Sequence, residues 1–360
     1  MAPVDPGKLG VLVVGAGTIG TLRAKILRRH PSVGFLGVCD VDEAKARRLA
    51  EDCEADAWSA DANELVGRPE VGAVIVATTE NAHLGPALAA IAEGRPTLVE
   101  KPFAVSPEDA AKILGAAEDR RVPLFTGFTQ RFRRPFLAMK EHVAQGYVGE
   151  VTSARASIYL TRAVARAVMT RAPETTPSIN TLTYVVDLLL WYLAPRRPMS
   201  VRAAGSRGAM HAEFGVVDAT WALVELEGGA VASIGVSWEL PEHWPAYVAS
   251  MDFDLLGRDG SIRVRDDHGE VVVGASLPIP SPYTPDVSMH VVMPGSAMPG
   301  DWALGEYFGA MKDETYAFVD TVSTGRPHPI LPDGGQGERV LHVCRAIDDA
   351  VASGETVPVE

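Results

Sequence analysis

The sequence predicts an α/β protein whose first third forms a doubly wound parallel sheet. Three observations carry that prediction. Strand-length apolar runs alternate with segments of helical periodicity. A G-x-G-x-x-G follows the first run directly, and an acid closes the second run 20 residues after the last glycine of that motif. The length of 360 residues suits about two domains at ~150 residues each.

Leu9-Gly10-Val11-Leu12-Val13-Val14 is a continuous apolar run bounded by glycine and reads as a buried strand rather than a leader peptide. Ile19, Leu22, Ile26 and Leu27 recur at helical spacing and stop near His30-Pro31, where proline ends the helix. Val33 to Cys39 forms the second strand and ends on Asp40; Val71 to Ala77, rich in valine, forms another and ends on Thr78-Thr79. A helix over Pro86 to Ala92 leads into Thr97-Leu98-Val99, and one over Pro107 to Glu118 leads into Val122 to Thr126. This alternation places helices on both faces of a parallel sheet.

Composition removes several function classes. With 33 Lys+Arg against 46 Asp+Glu the formal charge is −13, which disfavours a nucleic-acid partner. No apolar run approaches the ~18 residues of a membrane span. Cys39, Cys53 and Cys344 are odd in number and widely spaced, which argues against a disulfide framework or a zinc site and for the cytoplasm. H-E-x-x-H and G-x-S-x-G are absent, so no metal or serine-nucleophile centre is expected.

In Gly15-Ala16-Gly17-Thr18-Ile19-Gly20 the first glycine serves a tight turn, the second admits a pyrophosphate, and the third lets helix and strand approach. The helix N-terminus then attracts the anion. Asp40 at the end of the second strand suits the ribose hydroxyls of NAD and repels a 2′-phosphate, so NAD is expected over NADP.

Two further segments, Ala77-Thr78-Thr79-Glu80-Asn81-Ala82-His83 and Val99-Glu100-Lys101-Pro102, join the glycine loop in a wider pattern. Together they resemble the glucose–fructose oxidoreductase / inositol dehydrogenase / MocA (Gfo/Idh/MocA) family of NAD(P)-dependent oxidoreductases. The Glu-Lys-Pro triplet is the most distinctive short motif of that family. The likeness runs on through Gly127-Phe128-Thr129-Gln130-Arg131-Phe132, Gly146 to Val151 and Asp187-Leu188-Leu189-Leu190-Trp191. It implies a Rossmann domain over 1–128 and, over 129–360, an α/β domain for substrate binding and oligomerisation. The second domain would carry an open, mainly antiparallel sheet, and its helix near 336–353 would pack back on the first. A homodimer or homotetramer through that sheet follows, as does a cofactor set of Gly15, Gly17, Thr18, Ile19, Gly20, Asp40, Thr78, Asn81, His83, Glu100, Lys101 and Gln130. Lys101 at the carboxyl end of a parallel strand is placed to bond a substrate oxygen.

The chain departs from the family at one point. Members with alcohol dehydrogenase activity carry an Asp, a His four residues later, and another Asp three beyond that. Counting back from Asp187, the His position holds Tyr184 and the first Asp position holds Asn180. Residues 180, 184, 187 and 191 share one face if the segment is α-helical. Tyr184 is expected as the acid–base group beside Lys101, with Asn180 and Asp187 orienting the substrate; its alternative is packing against Trp191. The loop before this helix carries Arg155, Arg162, Arg166 and Arg171, with no acid between Ala154 and Pro173. They read either as solvated helix-face charges or, through Arg162 and Arg166, as an anion-binding part of the substrate site.

The function these readings imply is hydride transfer between nicotinamide and a secondary alcohol or ketone of a sugar, amino sugar or cyclitol. The rivals are a dihydrodiol, imine or enone reductase on the same scaffold and a catalytically silent NAD-binding sensor. Pro241-Glu242-His243-Trp244-Pro245 reads as a structural aromatic loop, and Leu277 to Gly300 as a long irregular one.

Overall fold

In the computed structural model the described residues are 7–245, 249–266, 272–280, 284, 286–292 and 300–359. The chain divides into two compact units, Met1–Phe132 with Trp302–Glu338, and Arg133–Asp301 with Arg339–Glu360.

The first unit is built on six parallel strands: β1 (Leu9–Val14), β2 (Val33–Cys39), β3 (Ala57–Ser59), β4 (Ala73–Val76), β5 (Thr97–Glu100) and β6 (Leu124–Gly127). Their spatial order is β3-β2-β1-β4-β5-β6, and every adjacent pair is parallel. Valines 11, 13, 74 and 76 and Leu12, Ile75, Leu98 and Val99 are all buried, as a sheet covered on both faces requires. The connecting helices are α1 (Thr18–Arg28), α2 (Glu43–Cys53), α3 (Ala62–Val66), α4 (Leu84–Ala92) and α5 (Pro107–Arg120). Local chemistry sets their ends. Asp42 caps α2 by accepting from the amides of Ala44 and Lys45, and Ser106 caps α5 at the amide of Asp109, with Pro107 in the first turn. Strand order reverses between β1 and β4, which puts the ligand crevice at their carboxyl ends.

The second unit contains α6 (Arg134–Ala144), β7 (Val151–Thr161), α7 (Arg162–Arg171), α8 (Thr183–Leu193), β8 (Pro198–Ser206), α9 (Ala209–Phe214), β9 (Ala219–Leu226), β10 (Val231–Leu240), β11 (Ala249–Gly257) and β12 (Ser261–Asp266). Its sheet runs β12-β11-β7-β10-β9-β8, with a short last strand at the β8 edge, and only β7–β10 pair in parallel. Alternation separates the faces: Ala222, Val224 and Leu226 of β9 point inward while Trp221, Leu223 and Glu225 are exposed.

Two segments differ from expectation. Arg155 and its successors lie in strand β7 and helix α7, which starts at a Thr161 cap, rather than in a loop. Within the stretch read as irregular, β13 (Val273–Pro280) and β14 (Ser288–Val292) form a hairpin. Most of its residues are exposed and its register shifts between Gly274 and Ile279, so neither alternation nor the two prolines of β13 betrayed it. Residues 293–299 of that stretch lie outside the described residues.

The chain then continues through β15 (Asp301–Ala303), β16 (Glu306–Phe308), α10 (Ala310–Thr324) and α11 (Gly334–Ser353) to β17 (Val357–Pro358), the last strand of the second sheet. Helix α10 belongs to the first unit: Met311 and Tyr307 pack with Ile26 of α1, and Phe318 joins Val11, Leu27 and Ile75 in the core. Most of α11 belongs to the second unit. No helix among the described residues is long and apolar enough to cross a membrane.

Candidate active site

The first unit gathers its polar residues at the carboxyl ends of β1, β2, β4, β5 and β6. Gly15 adopts φ +108°, a conformation L-residues rarely reach. A Cβ on Gly20 would fall inside the Gly15 carbonyl oxygen, whereas one on Gly17 would meet no atom within 4 Å. Gly17 caps α1 and has no side chain to satisfy the first amides, and Thr18 and Ile19 open the helix. Those amides therefore face an open cradle, as a pyrophosphate requires. Asp40 stands beside it: its Oδ2 accepts from the Ala16 amide at 2.7 Å and its Oδ1 from the Asp42 amide at 2.9 Å. Each oxygen keeps a lone pair for a ribose hydroxyl. The chain's own residues thus fit a dinucleotide.

After β4, Thr78 and Asn81 lie on a turn where the Thr79 hydroxyl donates to Asn81 Oδ1 at 2.9 Å. His83 is buried, and its Nδ1 lies 2.9 Å from the Pro102 carbonyl oxygen. A carbonyl only accepts, so Nδ1 carries the proton. Burial lowers the His83 pKa, with Glu80, Glu100 and the carbonyls of Pro102 and Thr78 opposing it. The ring is neutral at physiological pH. Gln130 is buried in the short helical turn Thr129–Phe132 after β6.

Glu100 enters a network that the sequence reading missed. Arg23 of α1 is fully buried; its Nε donates to Glu100 Oε1 at 2.9 Å, and its Nη2 pairs with the same oxygen at 2.7 Å. Its Nη1 donates to the Thr315 hydroxyl at 2.7 Å, and Nη2 also bonds Glu314. Thr129 donates to Glu314 Oε2 at 2.8 Å. Burial raises the Glu314 pKa to about 7 against the opposing pull of Arg23. One signal was available: Arg23 sits on the buried stripe of Gly20, Ala24 and Leu27, where an unpaired charge is untenable. Its partner Glu314 lies 291 residues away and gave none.

In the second unit, Tyr184, Asp187 and Trp191 lie on α8, with Asp187 buried and Tyr184 half-buried. Asn180, also buried, precedes them in a π-helical turn, Ser178–Leu182. The α-helical face counted from the sequence therefore begins at Thr183, and Asn180 is placed by the wider turn. That turn is anchored from α11: the Thr176 hydroxyl donates to Asp348 Oδ2 at 2.7 Å and accepts from the Ile179 amide at 3.1 Å. Burial raises the Asp348 pKa to about 6, opposed by the hydrogen bond from Thr176. Lys140 donates to the Trp191 carbonyl at 2.7 Å, and the Trp191 ring stacks on Tyr192.

Arg155 faces outward from the sheet and pairs with Asp254 at 3.1 Å. Arg166 is held by Glu213 at 2.9 Å and by Glu242, the second residue of the aromatic loop, so an incoming anion would compete with two carboxylates. Arg162 has a buried Nε without a hydrogen-bond partner among the described residues. His243 and Pro245 of the same loop line a cavity of about 440 Å³ with Met289 and His290.

Comparison with known proteins agrees with this geometry. Residues 9–128 match the model of an oxidoreductase family with an NAD-binding Rossmann fold, and residues 136–263 match the GFO/IDH/MocA C-terminal domain. An inositol 2-dehydrogenase of Gluconacetobacter diazotrophicus is 27% identical over 356 residues, covering 98% of this chain and 96% of that protein. Among solved structures, GenD2 from gentamicin A biosynthesis, in complex with NAD, superposes with TM-score 0.80 at 24% identity, over 98% of this chain and 97% of that one. The scyllo-inositol dehydrogenase of Lactobacillus casei, with NAD(H) and scyllo-inositol, gives 0.78 at 17%, over 98% and 99%. The chain belongs to the Gfo/Idh/MocA family of oxidoreductases and carries its NAD-binding Rossmann fold.

Proposed function

We propose that this NAD-dependent oxidoreductase moves a hydride between nicotinamide and a secondary alcohol or ketone carbon of a cyclitol, sugar or amino sugar. Lys101 holds the reacting oxygen and Tyr184 exchanges its proton. What supports the reading is the position of Lys101: it follows β5, at the carboxyl edge of the parallel sheet where Asp40 and the glycine loop also lie, between two neighbours bonded in the interior. The cyclitol class is supported by the inositol dehydrogenase similar over nearly the full length of both chains.

NAD, when bound, supplies the carbon that accepts or returns the hydride. In oxidation, the substrate C–H electron pair leaves as hydride and the O–H proton passes to the Tyr184 oxygen. In reduction, Tyr184 donates that proton to the forming alkoxide while the Lys101 ammonium bears its charge. A free phenol, with pKa about 10, is protonated at neutral pH and so is ready to donate to a ketone oxygen. Hydride transfer needs the two carbons at ~3–3.5 Å. Asn180 and Asp187 orient the substrate, and Arg162 offers its buried Nε to a substrate oxygen.

The partner on this reading is a second copy of the chain, as dimer or tetramer, through the outer face of the second sheet. There Trp221 and Leu223 are about half exposed and Tyr159 meets Trp221 edge-on. The work is cytoplasmic.

A panel of inositols, keto-inositols and amino sugars with NAD or NADH, followed at the NADH absorbance band, tests the assignment. In Tyr184→Phe, kcat falls at least ~10²-fold while NADH affinity stays unchanged. Near wild-type turnover in that variant removes Tyr184 from the reaction.

A further inference from the structure

We propose that Arg23 and His83 are positioning residues for Lys101, gripping the chain through the residue on either side of it. The inference rests on the assignment of Lys101 to the reacting oxygen.

The first grip is on Glu100. Arg23 Nε donates to Glu100 Oε1 at 2.9 Å, and Nη2 pairs with the same oxygen at 2.7 Å. The guanidinium cannot drift, because Thr315 and Glu314 of α10 hold its other edge and it has no exposure to solvent. Gly127, the strand partner of Glu100, closes the remaining side: a Cβ there would come within 2.9 Å of Glu100 Oε2. The second grip is on Pro102. Proline has no amide hydrogen, so its carbonyl is its backbone handle, and His83 Nδ1–H occupies it at 2.9 Å.

Lys101 lies between these two fixed points. Lys101 sits in the bend that follows the last residue of β5, so holding the Glu100 carboxylate and the Pro102 carbonyl fixes the backbone from which its side chain leaves. The groups that face the grips are accounted for. Glu80 and Glu100 act on His83, and Arg23, Glu100 and Thr129 on Glu314.

The test compares His83→Leu, which deletes the donor, with His83→Asn, which returns an N–H near the Nδ1 position. Three measurements are made on the full-length protein: the NADH dissociation constant, kcat on a turned-over substrate, and the acylation rate of Lys101 against pH, read by mass spectrometry. His83→Leu is expected to lower kcat about 10²-fold, the cost of an ångström-scale misplacement, a larger loss than it causes in NADH affinity. It should also displace the Lys101 acylation profile, and His83→Asn should restore both.

Equal losses in the Leu and Asn variants, or a Lys101 profile identical to wild type in His83→Leu, overturn the proposal. If His83→Leu does not fold, Arg23→Lys reads the other grip: it keeps the charge but shortens the reach, and an unmoved profile there overturns the proposal equally. Acylation needs no turnover. A wild-type protein inactive on the whole panel therefore overturns the assigned function, while the Lys101 profiles still decide the clamp.

Discussion

Gly17 and Gly20 occupy one loop, yet alanine at the two positions should have opposite consequences. Gly17 has φ −74°, so alanine there meets no backbone penalty, and its Cβ has no atom within 4 Å. Stiffening the unfolded chain contributes ~0.4–1 kcal/mol of stability, offset by a similar loss of cap preference, since alanine is a poorer N-cap than glycine. The free protein should therefore melt within a few degrees of wild type. The open space, however, is the cradle at the α1 amides. A methyl group there takes the volume of the diphosphate, and the NADH dissociation constant should rise at least ~10-fold, the equivalent of about 1.4 kcal/mol. At Gly20, by contrast, the methyl collides with the Gly15 carbonyl, a backbone atom that cannot swing aside. Overpacking of that kind costs ~1–3 kcal/mol, so Gly20→Ala should lose melting temperature and cofactor affinity together. Differential scanning calorimetry of the free proteins and NADH fluorescence titration separate the two. Unchanged NADH affinity in Gly17→Ala would refute the reasoning, because it would make the loop a bare turn.

Asp40→Asn should weaken NADH by one to two orders of magnitude and narrow its preference over NADPH, since hydrogen bonds to charged groups contribute ~1.5–3 kcal/mol; competitive titration checks this. Glu314 has a folded pKa above the ordinary carboxyl value, so its contribution to stability is full below pH ~4.5 and fades as pH rises through about 7. In Glu314→Gln the fall of melting temperature between pH 5 and 8 should become shallower, and a slope equal to wild type would show that Glu314 does not titrate there. Thr176→Val breaks the anchor of the π-helical turn to Asp348 and should raise the substrate KM more than it changes NADH affinity. Equal effects on both constants would detach that turn from substrate binding.

Much of the first unit was legible because its signals are local. A glycine at φ +108° reads directly in the sequence, as do an acid at a strand end and a valine-rich strand buried on both faces, since each follows from its neighbours alone. The place of the Glu-Lys-Pro triplet at a strand end was legible too: β5 ends at Glu100. The π-helical turn was not: its residues also suit an α-helix, and the bond that anchors the chain beside it joins Thr176 to Asp348, 172 residues on. The β13–β14 hairpin stayed hidden because its exposed residues carry no inside–outside rhythm.

The sequence by itself determined the alternation of strands and helices, the glycine loop and the acid, Asp40, that follows the second strand. Backbone sterics, period and residue identity act within a few positions along the chain, and they settle such features. Only the tertiary structure decided that Arg23 is spent on Glu100 and Glu314, and that His83 holds the Pro102 carbonyl. It likewise decided that Glu213 and Glu242 occupy Arg166. These partners lie between 19 and 291 residues apart. A buried charge or donor must be satisfied wherever the fold brings a partner, and separation along the chain gives no clue to which partner that will be.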